Sequence, residues 1–187
     1  MNIYFGFSMA ITKGKVLNMG NDFFIAFGTH KVGGLMPIPI IIFIGMLLLF
    51  YFILRYTIFG RNIYAIGNNS NAARYSGINV DRVIILIFII TGLLAGIAGI
   101  LLVGKLTSAQ AIYGRAWPLN TIAACVLGGT LISGGKGGVI GSFLGITYLM
   151  ILMNGLILMI APTYLQSVFT GVLLLAALYF SEIFARK

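Results

Sequence analysis

From Val83 to Gly104 the chain reads VIILIFIITGLLAGIAGILLVG, a run without one charged side chain. A bilayer core about 30 Å thick needs about 20 such residues as a helix rising about 1.5 Å per residue. Three more runs reach that length: Met36 to Ile58, Val139 to Ile160 and Tyr164 to Ala185. Pro37 and Pro39 open the first, where a missing amide does no harm. A fifth block, Pro118 to Ser133, reaches only about 24 Å if wholly helical. It reads either as a short span or as a helix preceded by extended backbone that neighbouring protein must satisfy. The expected fold is all-α: a polytopic integral membrane protein, residues 1–187 forming a single transmembrane domain of about five helices.

Composition agrees. Only 8% of the residues are charged and 60% are hydrophobic, whereas a soluble domain carries about 25% charge. The net charge of +9 comes from basic residues scattered between apolar blocks, so no nucleic-acid stripe forms. Those charges instead report topology. Arg55, Arg61, Arg74 and Arg82 crowd around the link between the first two spans, which makes that link cytoplasmic. Alternation then places Lys105 and Arg115 outside, and Lys136, Arg186 and Lys187 inside with the C-terminus. Near the span ends this gives seven basic residues inside against three outside (Lys31, Lys105 and Arg115), provided that Pro118 to Ser133 crosses.

One Cys, one His and three carboxylates exclude a disulfide framework and a thiolate cage, and no metal site is expected. The same scarcity argues against a membrane enzyme. Asp81 begins a span, where the helix dipole favours it, and Glu182 can pair with Arg186 at i,i+4. Neither lies at mid-membrane, so an ion-coupled secondary carrier is a weak reading. Residues 1–35 are expected to be external. Met1 to Thr12 reads as the tail of a helix, and Lys13 to Leu35 as irregular or short-helical, with Lys13, Lys15, Asp22 and His30 solvated or facing an external protein.

Small residues mark helix packing. Gly92, Gly96 and Gly99 line one face of the second span, and Gly141 and Gly145 repeat the spacing in the fourth; such faces let backbones approach closely. Among polar residues within spans, Asn154 costs most to bury, and serves either a neighbouring helix or a polar pathway. GGTLISGGKGG (Gly128 to Gly138) resembles a phosphate loop but fails the Walker A spacing, because Thr130 stands where Gly is needed and Gly137 follows the Lys. It reads as a flexible cytoplasmic turn, and the chain has no nucleotide site of its own.

The loop Gly60 to Arg82, GRNIYAIGNNSNAARYSGINVDR, is longer than two packed helices need. Asn69 or Asn71 can cap a short helix through Ala72, Ala73, Arg74 and Tyr75, and Gly77 can end it in the left-handed conformation. Such a displayed helix suits docking to a soluble partner; an amphipathic connector is the plainer reading.

This loop resembles the signature of the permease subunits of bacterial ribose/galactose/xylose-type ABC importers, roughly GRxxYAIGGNxxAARxSGIxV. The likeness continues in IAACVLGGTLISGGKGG, GSFLG and NG, with FFIAFG and GLMPIPI upstream. It implies the C-terminal portion of an importer permease fold in a bacterial cytoplasmic (inner) membrane. Residues 60–82 would be the coupling loop, with Asn69, Ala72, Ala73, Arg74, Tyr75, Ser76 and Gly77 engaging a cytoplasmic ABC ATPase. The implied partners are that ATPase, which would hold ATP and magnesium, an extracytoplasmic solute-binding protein and a second permease chain. Trp117, Asn120, Asn154 and Gln166 become candidates for the path of a simple sugar, with Trp117 and Asn120 near the outer mouth. Asn68 replaces the second Gly of the motif, and Asn120 stands where the pattern commonly has an acid. Permeases of this kind carry further N-terminal spans, so the alternatives are a separate chain holding them or a non-transporting remnant.

Overall fold

A computed structural model describes residues 2–18, 31–32, 36–114, 117–160 and 162–185. The chain divides into two compact units, Met1–Leu48 with Ile84–Arg115, and Leu49–Val83 with Ala116–Lys187.

In the first unit, α1 (Asn2–Thr12) leads through a left-handed turn at Lys13 and Gly14 to β1 (Leu17–Asn18). Two more short strands, β2 (Lys31–Val32) and β3 (Met36–Pro37), pair antiparallel with each other. The long helix α2 (Ile38–Tyr56) follows, and from Leu49 on it belongs to the second unit. After the second unit's hairpin the chain returns as α5 (Val80–Leu106) and β4 (Ser108–Ala109). Leu17 pairs with Ala109 and Asn18 with Ser108, so residues 17–18 share one face of the membrane with residues 108–109. These two-residue strands are the exception to an all-helical reading. Asp22, His30, Arg115 and the Glu182–Arg186 pair lie outside the described residues and side chains.

Each long helix is bounded by local chemistry. Extended backbone at Thr57 stops α2, and the Asn79 side chain accepts from the Arg82 amide at 3.1 Å to start α5. That cap, with Asp81 in the first turn and Lys105 in the last, extends α5 beyond the apolar run at both ends, as the macrodipole favours. Together with α7 (Val139–Leu158), α2 and α5 are long and apolar enough to cross a bilayer. Shorter apolar helices cover Ile3–Thr12, Trp117–Leu127 and Tyr164–Ala177.

The second unit holds α3 (Ile58–Asn68), α4 (Ser70–Tyr75), α6 (Trp117–Leu127), α7 and α8 (Thr163–Ala185). Helix α6 packs on both α7 and α8 around Ala123, Ala124 and Leu149. The small residues on α7 do what their spacing predicts: Gly141 and Gly145 lie against the backbone of Gly128 and Ala124, and a β-carbon on Gly145 would fall 2.8 Å from the Gly128 amide nitrogen. The stripe on α5 differs. Added β-carbons at Gly92, Gly96 and Gly99 meet no atom within 4 Å, because no helix among the described residues is laid over them.

The fifth apolar block also departs from expectation. Helix α6 ends at Leu127, and residues 128–138 form a closed turn, in which the Leu131 amide donates to the Lys136 carbonyl (3.0 Å) and the Gly134 amide to that of Leu131 (3.1 Å). Eleven helical residues reach only about 16 Å, about half the bilayer core. Within this block the non-helical part follows the helix.

Candidate functional site

The basic loop folds as a helical hairpin. Its first arm is not loop but the helix α3, whose N-cap Thr57 accepts from the Gly60 amide at 3.2 Å. Asn69 then caps α4 through its side chain, accepting from the Asn71 and Ala72 amides at 3.0 Å each. At the other end the Ile78 amide reaches the Ala73 carbonyl (3.1 Å) and the Gly77 amide that of Arg74 (3.1 Å). Gly77 has φ +82°. This is the Schellman pattern, which satisfies the last carbonyls of so short a helix.

Ala72, Arg74, Tyr75 and Ser76 are outward, and Tyr75 is 93% exposed. Ala73 is not: it is 4% exposed and seats the helix. A larger residue there would lift α4 off its base, so Ala73 acts beneath the displayed face and not on it. Arg74 bridges to Asp81 at 3.1 Å, tying the end of α4 to the first turn of α5.

Residues 128–138 are not a free turn; they clasp α3. The Tyr64 hydroxyl donates to the Gly137 carbonyl at 2.9 Å. Gly134 and Gly135, both with positive φ, press on the backbone of Gly67 and Asn68 so closely that a β-carbon on Gly67 would lie 2.6 Å from the Gly135 nitrogen. Whichever face of the bilayer holds α3 therefore holds Lys136 as well.

From this clasp α6 and α7 run as a hairpin, and a cleft of about 390 Å³ opens between them towards its far end. Trp117, Asn120, Thr121 and Asn154 line it, with Ile146 and Met153 among the apolar walls. Three of the four path candidates thus meet in one place; Gln166 does not line this cleft. The Trp117 indole and both carboxamides have no hydrogen-bond partner among the described residues. Asn154 thus bonds no other helix among the described residues. Along the helix axes, Trp117 lies about 15 Å and Asn154 about 22 Å from the clasp ends of α6 and α7. No group of metal-ligating side chains occurs among the described residues.

An uncharged polar cleft between apolar helices is thus joined by a clasp to an exposed helical hairpin, in a chain with three helices long and apolar enough to cross a bilayer among the described residues. The chain belongs to the family described as branched-chain amino acid transport system / permease component, which matches residues 3–178. The ribose import permease protein RbsC of Escherichia coli (strain K12) is 40% identical over 176 residues, 92% of this chain and 54% of that protein. The RbsC of Bacillus subtilis (strain 168) is 37% identical, covering 95% and 55%. The L-arabinose transport system permease protein AraH of Escherichia coli (strain K12) is 38% identical, covering 97% and 55%. The chain spans about half the length of these curated relatives. No solved structure matches it significantly.

Proposed function

We propose that the chain is a transmembrane subunit of an ATP-binding-cassette importer that passes a neutral sugar through the α6–α7 cleft. The α4 hairpin, residues 69–77, docks on a separate cytoplasmic ATPase, which holds ATP and magnesium and does the hydrolysis. An external binding protein delivers the solute, and a second permease chain completes the path. The basic loop and the C-terminus face the cytoplasm, in line with the Arg-rich loop.

The observation that carries this reading is the trio of polar groups on Trp117, Asn120 and Asn154 that meet in one cleft with no hydrogen-bond partner among the described residues. Unsatisfied amides in an apolar membrane cost several kcal/mol each, so they persist where water or a solute meets them. The family description names amino acids and the relatives' names name sugars; the cleft's chemistry supports a sugar. A zwitterion leaving water needs charged partners, and none of the cleft residues is charged. A sugar needs hydroxyl partners, which the carboxamides supply, and an apolar face for its ring, which the indole supplies.

The test is uptake of labelled aldoses by cells expressing the chain with its neighbouring reading frames. Asn120→Leu and Asn154→Leu should each lower uptake about tenfold, because a hydroxyl loses its partner. Unlabelled aldoses should compete and leucine should not. Undiminished uptake in both variants, or competition by leucine, would overturn the assignment.

A further inference from the structure

A second cleft, of about 410 Å³, lies where the end of α2 and the start of α3 meet the beginning of α7. We propose that it binds the phosphate-bearing headgroup of an anionic phospholipid. The inference rests on the membrane placement of α2 and α7 and is independent of what the chain transports.

Two guanidinium groups, Arg55 and Arg61, line this cleft, and no carboxylate does. Arg55 is held in place: it donates to the Tyr51 hydroxyl at 2.6 Å and lies 5.7 Å and 5.9 Å from the ring centroids of Tyr51 and Tyr56. The Arg61 guanidinium has no partner among the described residues. Asp81, the one carboxylate whose surroundings are described, is engaged by Arg74. An adjoining cleft of about 460 Å³ shares Leu54 and Tyr64 with this one and adds Lys136. Three cations thus border two adjoining clefts that contain no acid. Planar guanidinium forks match phosphate oxygens in pairs.

The remaining lining selects a lipid over free phosphate. Leu54, Val139 and Ile140 form the apolar part of the cleft, and Ile140 is 51% exposed. They belong to helices long and apolar enough to span the membrane, so an acyl chain can run along them while the phosphodiester meets the arginines. Tyr51 and Tyr64 supply the amphipathic rings common at the headgroup level. Basic recesses between helices at that level are where anionic headgroups bind.

Native mass spectrometry of the detergent-purified full chain tests this, with phosphatidylglycerol, phosphatidylcholine and inorganic phosphate as probes. One phosphatidylglycerol should be retained at a concentration roughly 25-fold below that needed for phosphatidylcholine, at about fivefold per arginine. Arg61→Gln should reduce the preference about fivefold, and the Arg55→Gln/Arg61→Gln pair should abolish it. Arg61→Gln breaks no contact among the described residues, so its effect stands even if loss of Arg55 disturbs the fold. A Lys13→Gln/Lys15→Gln pair, in the other unit, should change nothing, and millimolar inorganic phosphate should not displace the lipid. Equal retention of both lipids, an equal loss in the lysine pair, or displacement by inorganic phosphate would each overturn the proposal.

Discussion

Replacing Gly67 with Ala puts a methyl group where the clasp leaves no room. The new β-carbon would sit 2.6 Å from the Gly135 nitrogen and 3.2 Å from its Cα, and ordinary contact begins at 3.4 Å. The turn must therefore retreat by about 0.8 Å, the shortfall in the first of these distances. The obstacle is backbone, pinned by the Leu131–Lys136 hydrogen bond and by the Tyr64 hydroxyl on Gly137, so no side chain can swing away. Overpacking of this kind costs about 1–3 kcal/mol, against about 1 kcal/mol gained from Ala over Gly inside α3. The helical gain is kept when the turn lifts off α3, so the clasp itself loses the full cost of about 1–3 kcal/mol. Amide hydrogen exchange reads it directly: Leu131 and Gly134 should exchange roughly 5- to 150-fold faster, with the α7 interior unchanged. Gly77→Ala is the control. Nothing lies within 4 Å of its added β-carbon, so it strains only its own left-handed backbone, by about 1–2 kcal/mol, and leaves residues 131–136 protected. Unchanged exchange at Leu131 and Gly134 in Gly67→Ala would show that this contact does not hold the turn.

Asn69→Ala should fray α4 by about 0.5–2 kcal/mol while Asn69→Asp retains it, seen as faster exchange at the Ala72 amide in the first variant alone. Arg74→Glu should leave insertion and stability within about 1 kcal/mol, since its ion pair is exposed, but abolish ATP-dependent uptake; the Arg74→Asp/Asp81→Arg swap should not rescue uptake if the guanidinium engages the ATPase, and rescue would refute that role. Cysteines at Ser76 and Lys136 should react with an impermeant thiol reagent in inverted vesicles, and one at Val16 in whole cells. Labelling of Ser76 from outside would reverse the orientation, and opposite sides for Ser76 and Lys136 would refute the clasp.

What could be read from the chain follows the range of the forces involved. The long spans were legible because burial in lipid demands an unbroken run. Asn69 and Gly77 were legible because caps act within a few residues. Helix α3 was missed although its signal was present: Phe59, Ile63 and Ile66 recur at i, i+4 and i+7 behind the cap Thr57. Two glycines and Arg61 made the stretch read as loop. The end of α6 was misplaced because hydropathy continues through Leu131 and Ile132 while the Gly128–Gly129 pair stops the helix. The clasp was beyond reach, since Gly67 and Gly135 meet only in the folded chain. The cleft was half legible: Trp117, Asn120 and Thr121 share a face at i, i+3 and i+4, but Asn154 joins them only through the register of the α6–α7 hairpin.

In the proposed function, that hairpin is the link between the displayed helix and the cleft. Its closed end is the glycine turn seated on α3, and its open end is the cleft. Gly145 and Gly141 lock α7 to the end of α6 and the turn that follows it, so the pair moves as one body. A displacement applied to α4 and α3 therefore reaches Asn120 through only the short α6, without crossing a flexible loop. Glycines at the clasp keep the contact backbone to backbone, where packed groups resist deformation and shift as units. A clasp built from long side chains would absorb the same displacement in rotamer changes. A secondary carrier would instead place its titratable or ion-binding group beside the solute, because binding of the ion must itself alter the site. None of the residues lining the cleft is ionisable, which supports the proposed entry of coupling energy through the clasp over an ion-coupled carrier.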